Sequence, residues 1–97
     1  MPRALVVATI RFKDRARYDR YAAAFPDVFQ HSGGAVLAAA EEPRQVSGPH
    51  SDVEKIVVLR FDNEDAAYDF LKSQDYLRIS GDRDAGADVT SWIVKAF

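Results

Sequence analysis

The feature that most limits what this chain can fold into is the run Ile56, Val57, Val58 and Leu59, which closes at Phe61. Successive strand residues point to opposite faces, so a run apolar at both phases needs cover on both sides. Ala4–Phe12 (ALVVATIRF) repeats the pattern, as does Asp88–Phe97 (DVTSWIVKAF) in its apolar half. Three strands of this kind demand a sheet with something packed on front and back.

Helical patterns lie between them. Asp14 is placed to cap a first helix, whose stripe is Tyr18, Tyr21, Ala22, Phe25 and Val28 or Phe29, spaced three and four apart. Pro26 falls inside that stripe and predicts a kink or a restarted turn. Gly33 and Gly34 supply a left-handed cap and a free turn. Ala35–Ala40 reads as a second strand of small residues, with Arg44–Ser47 a bent or bulged continuation beyond Pro43 at a sheet edge. Ser47–Asp52 (SGPHSD) is loop chemistry. After Phe61, Asp62 or Asn63 caps a second helix carrying Glu64 and Asp65 in its first turn and Ala66, Ala67, Phe70 and Leu71 on its packed face. Gln74–Gly81 has room for one more helical turn, with Tyr76 and Ile79 on a shared face, before Gly81, Asp82, Asp84 and Gly86 break it.

The order β-α-β-β-α-β predicts one α+β, ferredoxin-like domain over residues 1–97: a four-stranded antiparallel sheet with two helices on one face. Helices on one face leave the other bare. Yet Leu5, Val7 and Thr9 oppose Val6, Ala8 and Ile10 across β-strand one, Ile56 and Val58 oppose Val57 and Leu59, and Trp92 and Val94 oppose Val89 and Ile93. An apolar patch of that extent calls for a partner, and a second copy set sheet against sheet is the simplest one. A homodimer through the open sheet face is the expected assembly.

Composition removes several function classes. The 97 residues contain no cysteine, which excludes disulfides, thiolate catalysis and thiolate metal sites. Absence of such staples in a chain this short favours the cytoplasm. Net charge is −2, so no broad field draws nucleic acid or anionic membrane. Ala4–Ile10 is too short for a membrane span and runs into Arg11 and Lys13, so it reads as a strand and not a signal peptide. Arg11, Lys13, Arg15, Arg17 and Arg20 form the one basic cluster, read as a solvated helix face. The RNA-recognition fold shares this strand order but stacks bases on aromatics of its third strand, where this chain has EKIVVLRF. No histidine pair has metal spacing, so neither a metal nor an organic cofactor is expected.

Local motifs carry a resemblance. Tyr18 and Tyr21 precede Phe25-Pro26; Gly33-Gly34 is followed by Leu37; Gly48 lies in the loop after strand two; Phe61 precedes Ala66-Ala67; Ser73 and Tyr76 precede Arg83. In this order they are similar to a family of short proteins, a domain of unknown function within the dimeric α+β barrel superfamily. Ser47 stands where that family usually has an acidic residue, His50 where it tends to have an aromatic, and Arg60 where it has glutamate. The resemblance implies a superfamily that includes cofactor-free monooxygenases, lactone isomerases, haem-binding members and stress-responsive proteins. Shared fold raises a prior for such chemistry without proving it.

The candidate site residues follow from side-chain chemistry. His50 beside Asp52 is a candidate general base, or an exposed loop histidine without a task. Arg83 is a candidate clamp for a substrate carboxylate, or an ion pair that pins its loop or spans a dimer. Tyr18, Tyr21 and Trp92 combine apolar bodies with polar tips and suit a ligand pocket, although core packing uses the same residues. His31 at the end of the first helix either caps it or contacts ligand. Arg60 is expected at the sheet rim or paired with Glu41, Glu42 or Asp62. Two function classes follow: a homodimer that binds a small, partly apolar molecule and acts on it by cofactor-free acid–base or oxygenation chemistry, or a non-enzymatic dimerisation or ligand-sensing module.

Overall fold

The computed structural model describes residues 2–97, so Met1, at the start of the expected domain, lies outside the described residues. The strands are β1 (Ala4–Phe12), β2 (Ala35–Glu41), β3 (Lys55–Phe61) and β4 (Ala87–Lys95). They form one antiparallel sheet in the order β2-β3-β1-β4. The helices are α1 (Arg15–Phe29), α2 (Glu64–Leu71) and α3 (Gln74–Gly86).

Three helices, not the expected two, pack against the sheet. The stretch read as one turn ended by glycines is a helix of 13 residues. Ser73 caps it, its hydroxyl accepting from the Tyr76 N–H. Gly81 stands in open space, so its cost is only the small intrinsic one of glycine in a helix. Gly86 is there for contact: a Cβ on it would lie 2.3 Å from the Tyr18 backbone nitrogen. Its carbonyl accepts from the N–H groups of Lys13 and Asp14, at 2.8 and 3.0 Å, which joins the end of α3 to the start of α1. Arg17 of α1 adds an ion pair to Asp82 at 2.7 Å. Tertiary packing overrides the local breakers.

α1 is continuous through Pro26 with no restarted turn, and the Gln30 N–H donates to the Pro26 carbonyl at 3.0 Å, so the ladder resumes at once. The expected extension of β2 fails. Residues 44–47 are not strand. Glu42 adopts a positive φ of 57°, Pro43 follows without an N–H, and the chain leaves the sheet. The Gln45 carboxamide then organises the loop, donating toward the carbonyls of Ser47, Gly48 and Pro49.

Asp14 and Asn63 are the caps of α1 and α2. Ala4, Val6, Ala8 and Ile10 of β1 are buried under the helices together with Leu59 and Phe61 of β3. Aromatic rings from the helices complete this layer: Phe29 meets Phe61 edge-on at 6.0 Å, and Phe70 lies 5.0 Å from Tyr76. Gly34 brings the chain close, since a Cβ there would sit 2.9 Å from the Phe61 ring.

Among the described residues no helix or strand covers the opposite face, although Asp52 and Val53 of the β2–β3 loop border a hollow with Thr9 and Thr90. Leu5 lies between Arg60 and Val94, Val7 between Val58 and Trp92, and Thr9 between Ile56 and Thr90. Trp92 is 51% exposed. Arg60 sits on this open face rather than at a rim, and it forms no ion pair among the described residues. Its expected partner Glu41 is engaged by Arg15.

Candidate functional site

Between α1, α3 and the covered sheet face lies a partly open cavity of about 180 Å³. Its floor is aliphatic because the inward phase of each strand is: Val6, Ala8 and Ile10 from β1, Val57 and Leu59 from β3. Small inward residues, Ala8 and Ala22 among them, leave the space that larger side chains would fill. A dry cavity of about 150 Å³ takes up benzene, so this one has room for a single ring and a few further atoms.

Polar groups enter from the helices and from one strand end. Tyr18 and Tyr21 stand one turn apart on α1, their ring centroids 5.6 Å from each other. Tyr76 and Arg83 are two turns apart on α3 and so share a face. Arg83 Nη1 donates to the Tyr76 hydroxyl at 2.8 Å, and that hydroxyl is 2.9 Å from the hydroxyl of Tyr21. Arg83 Nε donates to Asp84 at 2.9 Å, which orients the guanidinium and balances its charge. A phenol oxygen that accepts from a cation becomes a better O–H donor; with Tyr76 as donor of the pair, the hydroxyl proton left for a ligand is that of Tyr21. Burial pushes Tyr18 up to about 12 and Tyr21 higher still. Both are therefore neutral hydroxyls at physiological pH, able to donate and unsuited to act as bases.

Lys55, the first residue of β3, also lines the cavity, with Nζ 4.9 Å from the Tyr18 ring centroid. Desolvation lowers its pKa, partly offset by Glu41. No aspartate, glutamate or histidine lines the cavity among the described residues.

Of the residues singled out from sequence, Tyr18, Tyr21 and Arg83 meet at this cavity. His50 is out in the loop, its side chain 87% exposed and its Nε2 3.2 Å from Asp52 Oδ1. His31 is exposed just beyond the end of α1, where the cap position is Gln30. Trp92 is on the bare face of the sheet. Sequence reasoning missed Tyr76 and Lys55 as site residues. The spacing of seven between Tyr76 and Arg83 signals one helix face once the helix is carried past Gly81. Lys55 shares the inward phase of Val57, Leu59 and Phe61, which the alternation alone could have shown.

The family model described as Domain of unknown function (DUF1330) matches residues 3–97, which bears out the resemblance seen in the motifs. No curated protein matches the chain. Among solved structures, a protein of unknown function from Rhodopseudomonas palustris is similar with a TM-score of 0.82 at 16% identity, over 99% of this chain and 83% of that one. SnoaB, a cofactor-independent oxygenase from Streptomyces nogalater, has a TM-score of 0.71 at 12% identity, over 100% and 95%. A dimeric ferredoxin-like protein of unknown function from Thermobifida fusca has a TM-score of 0.71 at 13% identity, over 98% and 92%. At such identities the likeness is one of fold, and this fold includes cofactor-independent oxygenases.

Proposed function

The chain belongs to the DUF1330 family, and on that premise we propose that it is a homodimer whose helix–sheet cavity binds a small, partly apolar molecule. One observation carries this reading: an aliphatic hollow whose wall holds the hydrogen-bonded relay Arg83–Tyr76–Tyr21. A ring or short acyl chain fits the floor, while a carbonyl, enol or phenol oxygen accepts from the one hydroxyl that the Tyr21–Tyr76 hydrogen bond leaves free. Negative charge on that oxygen, carried by a ligand that enters already ionised as an enolate or phenolate, is stabilised by donors already in place. The expected chemistry is thus acid–base or oxygenation chemistry without an organic cofactor, and the likeness to a cofactor-independent oxygenase supports it. The dimer forms through the bare face around Val7, Val58 and Trp92, a reading supported by the dimeric relative of the same fold.

A second reading has an observation of its own. The cavity lacks a lining carboxylate or histidine among the described residues, as suits a ligand-sensing module with no reaction to perform. A thermal-shift screen of small aromatic and polyketide-like carboxylates tests the shared part of both. We expect hits that raise Tm by several degrees, with a smaller rise in Arg83→Gln. A panel without a hit would overturn cavity binding. Incubating a hit with protein in air, followed by chromatography of the products, then separates enzyme from sensor.

A further inference from the structure

The cavity's uncompensated charge is not on the arginine. Arg83 is paired with Asp84 at 2.9 Å and spends a second N–H on Tyr76. Lys55 forms no ion pair among the described residues, although Glu41 is its cross-strand partner on β2. Glu41 is taken by Arg15, whose guanidinium grips the carboxylate with two hydrogen bonds of 3.0 and 2.7 Å. Arg15 also holds Asp19 at 3.0 Å, removing the other nearby acid. The Lys55 ammonium is thereby left with the face of Tyr18 as its neighbour.

We propose that Lys55 is the anion-binding residue of the cavity, so that the ligand is an apolar oxo- or hydroxy-carboxylate, its carboxylate on Lys55 and its carbonyl or hydroxyl oxygen on the Tyr21 hydroxyl. This rests on the cavity-binding reading above and adds to it a ligand charge, a polarity of binding and a residue. A partly buried ammonium that makes no ion pair of its own, its nearest acid being gripped by Arg15, gains most from an anion that reaches it directly. Two polar anchors on different elements, β3 and the helices, of a cavity with an aliphatic floor also fix which end of the ligand meets which wall. Burial lowers the Lys55 pKa, and Glu41, already held by Arg15, offsets that only in part.

The test is isothermal titration of 3-benzoylpropanoate, its methyl ester and 4-phenylbutanoate into the full-length protein. We expect the acid to bind about tenfold more tightly than the ester, an advantage that Lys55→Met abolishes and Lys55→Arg largely keeps. Tyr21→Phe should instead remove the preference for the ketone over 4-phenylbutanoate. Arg83→Gln should weaken acid and ester alike. In the wild-type protein the acid's advantage should fade as pH rises toward 10.5 and Lys55 loses its proton. Of the groups around Lys55, Arg15 stays charged and Glu41 stays ionised through that range, while Tyr18, at about 12, stays neutral. Equal binding of acid and ester by the wild type would overturn the inference and leave cavity binding standing. An unchanged acid preference in Lys55→Met, or one that persists at high pH, would overturn it too. Binding of none of the three compounds would remove the cavity reading and this inference together.

Discussion

The two faces of the sheet are made by alternate residues of the same strands, yet they have opposite fates. Val6, Ala8 and Ile10 lie under three helices and are buried. Leu5, Val7 and Thr9, each one residue away, look onto a surface that no helix or strand among the described residues covers. On the first face the aromatic rings pack against one another and, together with small residues such as Ala8 and Ala22, border a hollow between helices and sheet. On the second face Trp92 and Val94 stand exposed to solvent. Burial by the chain itself gives a cavity. An apolar face without that burial gives a place to associate.

Substitutions that strike one face and spare the other put this contrast at risk. Phe61→Ala removes a ring that is 1% exposed, and should cost about 4 kcal/mol in urea unfolding at any protein concentration. A loss below about 1 kcal/mol would mean that the helix-covered face is not the core. Gly86→Ala forces a methyl group against the Tyr18 backbone, which cannot swing aside as a side chain would. We expect about 3 kcal/mol of destabilisation, and a near-neutral result would contradict the close α1–α3 contact.

Trp92→Arg acts on the other face. It should leave the unfolding free energy of the subunit within about 0.5 kcal/mol, as surface changes do, while sedimentation velocity shows the dimer lost. A wild-type protein that already sediments as one subunit at micromolar concentration would instead remove the dimer. The smallest effect is expected at the rim of the open face, where Asp88 pairs with Arg11 at 2.9 Å and Lys13 at 3.4 Å. The hydrogen bond from Arg11 holds the Asp88 carboxyl below its ordinary 3.8. A depressed carboxylate stabilises the fold above its unfolded pKa, and that contribution is lost as pH falls from 3.8 through the lower folded value. Asp88→Asn should therefore slightly flatten the acid limb of a Tm–pH curve and leave the rest in place.

Much of this was legible in the chain. Alternation placed Val6 and Val7 on opposite faces, and the stripe from Tyr18 to Phe29 placed α1 on one of them. Asp14 announced the cap of α1, and Asn63 was one of two candidates for that of α2. The third helix was hidden because Gly81 and Gly86 look alike in sequence. Only the fold shows that the first faces open space and the second a backbone. That misreading also separated Arg83 from Tyr76, which are hydrogen-bonded across two turns of one helix. His50 drew attention as a lone imidazole beside an acid, a pattern that says nothing about distance from a cavity. Lys55 was overlooked because a charge at a strand end reads as solvated; that Arg15 takes Glu41 away from it is a fact of three elements meeting in space.

Methyl carbon–proton spectra read both faces in one experiment. Titrated with 3-benzoylpropanoate, the methyl signals of Val6, Ile10, Val57, Leu59 and Val89 should move, while those of Leu5, Val7, Val58 and Val94 stay where they are. Saturable shifts confined to the second set, or spread evenly over both, would contradict a binding cavity beneath the helices.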